Sequence, residues 1–230
     1  MQAIMGTLLR KLLPLAPVFK IALITFTLLA VLLPKRCTRL FNAYVALMYL
    51  INSMGSIRFN TKFGVAVCTI NVIFFAVIAF CWALDAFVLK NDFTSPTKSI
   101  WRYWVVPLAF MAFWYPLSGR TQQPYFSPIL LLTSSGGLAF CLITPVYLAL
   151  LTIFWPRVNM VVLRVTALYG VFIGLMNMLT NFAFRDASRY WWNGVLHIPL
   201  LTISLYGLII SLKRLPSEKQ TNESIQSAQS

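Results

Sequence analysis

The stretch GVAVCTINVIFFAVIAFCWALDAFVL, residues 64–89, carries a single acid, Asp85, and a single amide, Asn71. A segment this long and this apolar reads as a bilayer-crossing helix, since the hydrocarbon core is spanned by about 20 apolar residues. The rest of the chain is written the same way. Hydrophobic residues make up 59% of its 230 positions and charged residues only 10%, with a mean hydropathy of +0.77. A soluble domain carries roughly a quarter charged residues, so this chain has too few to clothe a water-facing surface. The expected fold is all-α: a polytopic transmembrane bundle without a soluble domain. An aromatic content of 15% agrees, because Trp and Tyr gather at membrane interfaces.

Working outward from residues 64–89, the apolar pattern predicts about seven spans, at 17–33, 40–57, 64–89, 103–117, 131–155, 159–181 and 192–212. The first follows Arg10 and Lys11, lacks a small-residue cleavage site and reads as a retained helix. Residues 2–13 add an interfacial amphipathic turn or two. The fourth span is short and contains Pro107. The fifth is expected as one helix kinked near Pro145, with Ser134–Gly137 allowing close packing. Residues 213–230 read as a polar, disordered tail.

The net charge of +14 would suggest nucleic acid in a soluble protein. Here Lys and Arg fall in short clusters between apolar spans, where they meet headgroups and set topology. No nucleic-acid partner is expected. With the amino terminus outside, ten basic residues fall on the cytoplasmic side: Lys35, Arg36, Arg39, Lys90, Lys98, Arg102, Arg157, Lys213, Arg214 and Lys219. Eight fall opposite: Arg10, Lys11, Lys20, Arg58, Lys62, Arg120, Arg185 and Arg189. This small bias, with Lys213–Arg214 abutting the last span, places the carboxyl terminus in the cytoplasm and the protein in the cytoplasmic (plasma) membrane.

Polar residues inside spans are costly and point to bundle interiors. A helix turns 100° per residue, so spacings of three, four, seven and eleven share a face. Asn71, Phe75, Ile78, Trp82 and Asp85 form one such stripe. Thr166, Gly170, Gly174, Asn177 and Asn181 form another, and Asn193, His197, Ser204 and Ser211 a third. Gly170–Gly174 is a G-x-x-x-G and reads as helix packing. Because odd and even spans run in opposite directions, Asn52, Asn71, Asn177, Asn181, Asn193 and His197 share one depth. Asp85 and Arg164 share the opposite one.

Two readings of the first layer stand side by side. In one, it is a ligand-binding pocket open to one surface, with His197 as a hydrogen-bonding or proton-exchanging group. Pro199, which has no N–H, would then free the Val195 carbonyl to line it. In the other, the asparagines merely bridge helices. His197, five or six residues into its span, then sits at headgroup level beside Trp191 and Trp192. Asp85 is expected as a proton or cation carrier, as an ion pair with Arg164, or at a water-exposed helix end.

The absent chemistries narrow the field. Cys37, Cys68, Cys81 and Cys141 form no C-x-x-C, and one histidine leaves a zinc site short of ligands. No metal and no cofactor is expected. Lys20 lies near a span end, unsuited to a deep Schiff base. The chain has no HExxH, G-x-S-x-G, P-loop or pair of intramembrane acids. The leading reading is a transporter or binder of a small or lipid-like ligand. The alternatives are a non-catalytic accessory or scaffold subunit, and a membrane enzyme using His197 as acid–base on a lipid-like substrate. Expected partners are the lipid bilayer, that ligand and another membrane protein.

Overall fold

A computed structural model describes residues 7–212 except 58, 62, 63, 67, 97 and 120. The tail expected over 213–230 lies outside the described residues. The architecture is an all-helical bundle with one small hairpin. Helix α1 (Thr7–Leu12) leads through a 3₁₀ turn into α2 (Ala16–Leu32). A single residue, Leu33, separates α2 from α3 (Pro34–Gly55). Pro34 explains the sharp stop: it disfavours helix at the residue before it, yet suits a helix's first turn, where no N–H is needed. The two helices run antiparallel, with Phe26 stacked on Tyr44 at 4.7 Å and the Tyr44 hydroxyl donating to the Phe19 carbonyl.

The third predicted span begins later than residue 64. Strands β1 (Phe59–Thr61) and β2 (Gly64–Ala66) pair antiparallel, and α4 runs from Thr69 to Val88. Helix α5 (Val105–Trp114) follows a 3₁₀ turn at Ile100–Trp104. Its 10 residues rise only about 15 Å, half of a hydrocarbon core. The fifth predicted span is broken. It consists of α6 (Leu130–Thr133), a 3₁₀ turn at Ser135–Gly137, and α7 (Phe140–Phe154), so the interruption falls at Ser134–Ala139 while Pro145 is carried inside α7. Helix α8 (Met160–Leu179) ends in a π turn at Thr180–Phe184. The last span is α9 (Ala187–Val195) and α10 (Ile198–Leu212), meeting at His197.

Four described segments are long and apolar enough to cross a membrane: Leu13–Leu32, Thr69–Val88, Met160–Phe184 and Ser188–Leu212. Seven is therefore more than length and composition alone support. Helix α3 has the length, but Lys35, Arg36 and Arg39 occupy its first turns, and Asn42, Asn52 and Ser53 interrupt its buried apolar face. The first two of these candidate spans are hydrophobic and turned largely outward. Only 22% of the first segment's apolar window and 28% of the second's are buried. Large side chains such as Ile73, Val77, Phe80 and Phe87 point away from the protein, as a lipid solvent requires.

The core is aromatic. Phe41 meets Trp82, Phe93 and Tyr147 edge-on at 5.7 to 6.0 Å. Tyr49, Phe75, Phe140 and Tyr169 continue the cluster toward the other membrane face. Helices α8 and α10 cross where the G-x-x-x-G lies. A Cβ on Gly170 would strike the Ser204 hydroxyl, and one on Gly174 would sit 3.1 Å from Leu201 backbone.

Candidate functional site: a polar cavity at a broken helix

Non-helical backbone at membrane depth survives only where protein groups satisfy it or where it lines a cavity. The Ser134–Ala139 break does both. Lys20, one turn into α2 and fully buried, donates from Nζ to the Phe113 carbonyl, the Leu130 carbonyl and Ser134 Oγ, each at 2.7 Å. Ser134 Oγ in turn donates to the Trp114 carbonyl at 2.8 Å. All three partners accept from Nζ, and three N–H donors define an ammonium. Its charge is further faced by the Phe113 ring, 4.5 Å away. Gly136 and Gly137 admit this clamp. A Cβ on Gly136 would collide with the Phe113 carbonyl, and one on Gly137 would lie 2.6 Å from the Lys20 nitrogen.

Asn52 holds the other end of the break. Its Nδ2 donates to the Met48 and Leu138 carbonyls at 2.8 and 3.1 Å, and its Oδ1 accepts from the Phe140 N–H at 3.1 Å. The amide thus caps the start of α7 from another helix. Lys20 and Asn52 are complementary: a cation takes one carbonyl near the end of α5 and one from α6, and an amide takes the orphan groups that begin α7.

Between these supports lies a cavity of about 140 Å³. Ser135, Ala139, Phe140 and Cys141 of the break form one wall. Asn52 from α3, Asn71 from α4, Asn177 from α8, and Asn193 and His197 from the last span form the others. The structure brings together five of the six residues expected to share this depth. Asn181 is the exception. It sits behind the cavity, donating to the Asn177 carbonyl and accepting from Asn193 Nδ2 at 2.9 Å, so it positions Asn193. Val195, expected to present its carbonyl, does not line the cavity.

His197 is 2% exposed and is enclosed by protein. The span starts earlier than residue 192, and nine residues from Ser188 place His197 about 13 Å along it. Its Nδ1 lies 2.7 Å from the Asn193 carbonyl. A carbonyl only accepts, so Nδ1 carries a proton, and in the neutral ring Nε2 presents the lone pair. No hydrogen bond among the described residues engages Nε2. The same holds for Asn177 Oδ1, whose Nδ2 donates to the Ile173 carbonyl, and for Asn71 Nδ2, whose Oδ1 accepts from the Tyr169 hydroxyl at 2.6 Å. Asn193 is engaged at both ends, with Nδ2 donating to Asn181 and Oδ1 accepting from the Tyr115 hydroxyl at 2.8 Å. The lining adds the Ser135 hydroxyl and the Cys141 thiol to these groups and carries no charged side chain. Among the described residues, no three His, Cys, Asp or Glu side chains converge as metal ligands would.

The second expected pair separates. Asp85 makes no ion pair with Arg164. Its Oδ2 accepts from Asn42 Nδ2 at 2.7 Å and the Asn91 N–H at 3.2 Å. Its Oδ1 accepts from Asn159 Nδ2 at 2.7 Å and the Lys90 N–H at 3.2 Å. Leu89, in the left-handed region at φ 54°, turns the chain back so that these two backbone donors reach the carboxylate. Four N–H donors on a fully buried acceptor make a structural staple joining α3, α4 and the start of α8, with no oxygen left open to a travelling proton or cation. Arg164 instead spans the neighbouring pair, donating from Nε and Nη2 to the Ser211 carbonyl at 3.1 and 2.6 Å, where the cation suits the end of α10. At the nearby surface, the Thr94 hydroxyl and N–H beside Asp92 hold its carboxyl below the usual range, with Arg157 adding to the effect.

Comparison with protein-family models, curated proteins and solved structures finds no match to this chain.

Proposed function

We propose that this protein is a seven-pass protein of the cytoplasmic membrane, with its carboxyl terminus in the cytoplasm. In this reading the polar cavity binds, and in a transporter would pass, a small neutral hydrogen-bonding molecule, either free or as the head of a lipid-like one. One observation carries it. An apolar segment is broken at Ser134–Ala139, and the break lines a cavity shared with His197, Asn177 and Asn71, where no hydrogen bond among the described residues engages His197 Nε2, Asn177 Oδ1 or Asn71 Nδ2. Broken helices of this kind are how transporter folds bring backbone and polar groups to a ligand. The uncharged lining supports a neutral ligand, because a buried ion would lack a counter-charge.

The test is a thermal-shift screen of neutral polyols, amides and nucleosides against the purified protein in detergent. A ligand at 100 times its Kd stabilises the folded state by about 2.7 kcal/mol. The wild type is expected to respond to at least one class, with the response lost in His197→Ala and Asn177→Leu. If the variants shift as the wild type does, or if only charged compounds shift it, the cavity reading fails.

A further inference from the structure

A second concavity, of about 420 Å³, opens on the opposite flank of α5 and α7, toward α2. Its walls are apolar. Leu23 and Leu28 come from α2, Val106 and Phe113 from α5, and Val146 and Ile153 from α7. The direction of the groove follows from contacts already described. Lys20 bonds the Phe113 carbonyl and packs on Gly137, so α5 runs antiparallel to α2, and α7 parallel. Leu28, Val106 and Ile153 therefore lie toward one end, with Val106 about 10 Å from the level of Phe113 and Ile153 farther along.

Just beyond that end, three separate elements place cations. Lys35 and Arg36 follow the turn after α2, Arg102 lies one turn before Val106, and Arg157 lies four residues after Ile153. Arg102 stacks 4.5 Å from the Trp155 ring and commits Nη1 to its carbonyl, which fixes its position. Among the described residues the one acid paired there is Asp92, 3.9 Å from Arg157. Ile100 and Trp101, 77% and 83% exposed, stand at the same level and mark an interfacial belt.

We infer that this groove is a binding site for an anionic glycerophospholipid, with one acyl chain along α2, α5 and α7 and the phosphate among Lys35, Arg36, Arg102 and Arg157. An apolar slot facing the bilayer selects a chain, and a cationic rim at its headgroup end selects a negative phosphate over a zwitterion.

Native mass spectrometry of the full chain released from detergent tests this, with titrations of phosphatidylglycerol and phosphatidylcholine of equal chain length. Phosphatidylglycerol is expected to remain bound at lower concentration. Lys35→Gln with Arg36→Gln should weaken it about fivefold per charge removed. Val106→Trp, at an exposed position, should fill the mouth and weaken both lipids about tenfold, through the methylenes it displaces. His197→Ala should bind phospholipid as the wild type does, which separates this site from the polar cavity. Equal retention of the two lipids, or phosphatidylglycerol binding unchanged in the double-charge variant or in Val106→Trp, would show annular lipid only and overturn the assignment.

Discussion

Lys20 and Asp85 are each fully buried charged groups with no opposite charge beside them among the described residues, and each is satisfied by hydrogen bonds alone. Their substitutions report on different things. Lys20→Met keeps the stem but leaves two carbonyls and a hydroxyl without their donor. It is expected to destabilise the protein by at least about 3 kcal/mol, measured by unfolding in mixed micelles, and to loosen the Ser134–Ala139 break. Asp85→Asn is nearly isosteric, yet its amide turns N–H donors toward the donors of Asn159 or Asn42. A similar loss, about 3 kcal/mol, is expected without any change at the cavity. A small effect of Asp85→Asn would contradict the staple and restore a role in carrying protons or ions. Asp85 shows where sequence reasoning stopped. Depth matching placed it level with Arg164, but depth says nothing about azimuth around the bundle, and the nearer amides of Asn42 and Asn159 took the carboxylate.

The elements show a matching contrast between what was and was not legible. The cavity layer could be read because the direction of each span alternates and each helix turns by a fixed angle. Those two regularities place Asn52, Asn71, Asn177, Asn193 and His197 together without any knowledge of contacts. The break in the fifth span could not. The Ser-Ser-Gly-Gly run fits equally well in a continuous helix that packs closely, and the side chain that stabilises the broken form is 114 residues away in sequence. Once the break is present, Asn52 becomes the cap of α7. Asn52→Leu should therefore cost about 2 kcal/mol by stranding the Phe140 N–H and Leu138 carbonyl, and it should raise labelling of Cys141 by a small methanethiosulfonate reagent as α7 frays. The G-x-x-x-G was legible as packing. Gly170→Leu is expected to push α10 off α8 at Ser204 and cost about 1–3 kcal/mol in the same unfolding assay.

At the scale of the whole molecule, membrane character was plain from composition, while the number of crossings was not. Helix α3 carries three cations in its first turns and is the least apolar of the long helices, whereas α5 and α7 are strongly apolar but only 10 and 15 residues long. A reporter fused to the carboxyl terminus checks the resulting topology. A cytoplasmic readout agrees with seven crossings and an external amino terminus, and an external readout excludes that arrangement.

The two lone charges also have a consequence for the molecule's response to voltage. Helices α2 and α4 run in the same direction, each antiparallel to α3, as the Tyr44–Phe19 and Asn42–Asp85 contacts require. Lys20 lies near the start of α2 and Asp85 near the end of α4, so a positive and a negative charge sit toward opposite ends of the bundle. Together they make a fixed electric dipole along the bundle. A transmembrane potential of 100 mV acts on a full charge with about 2.3 kcal/mol, scaled by the fraction of the field it occupies. With α2 across a bilayer, such a field would pull on the lysine that holds the helix break beside the cavity, and energising the membrane would change the load on that clamp.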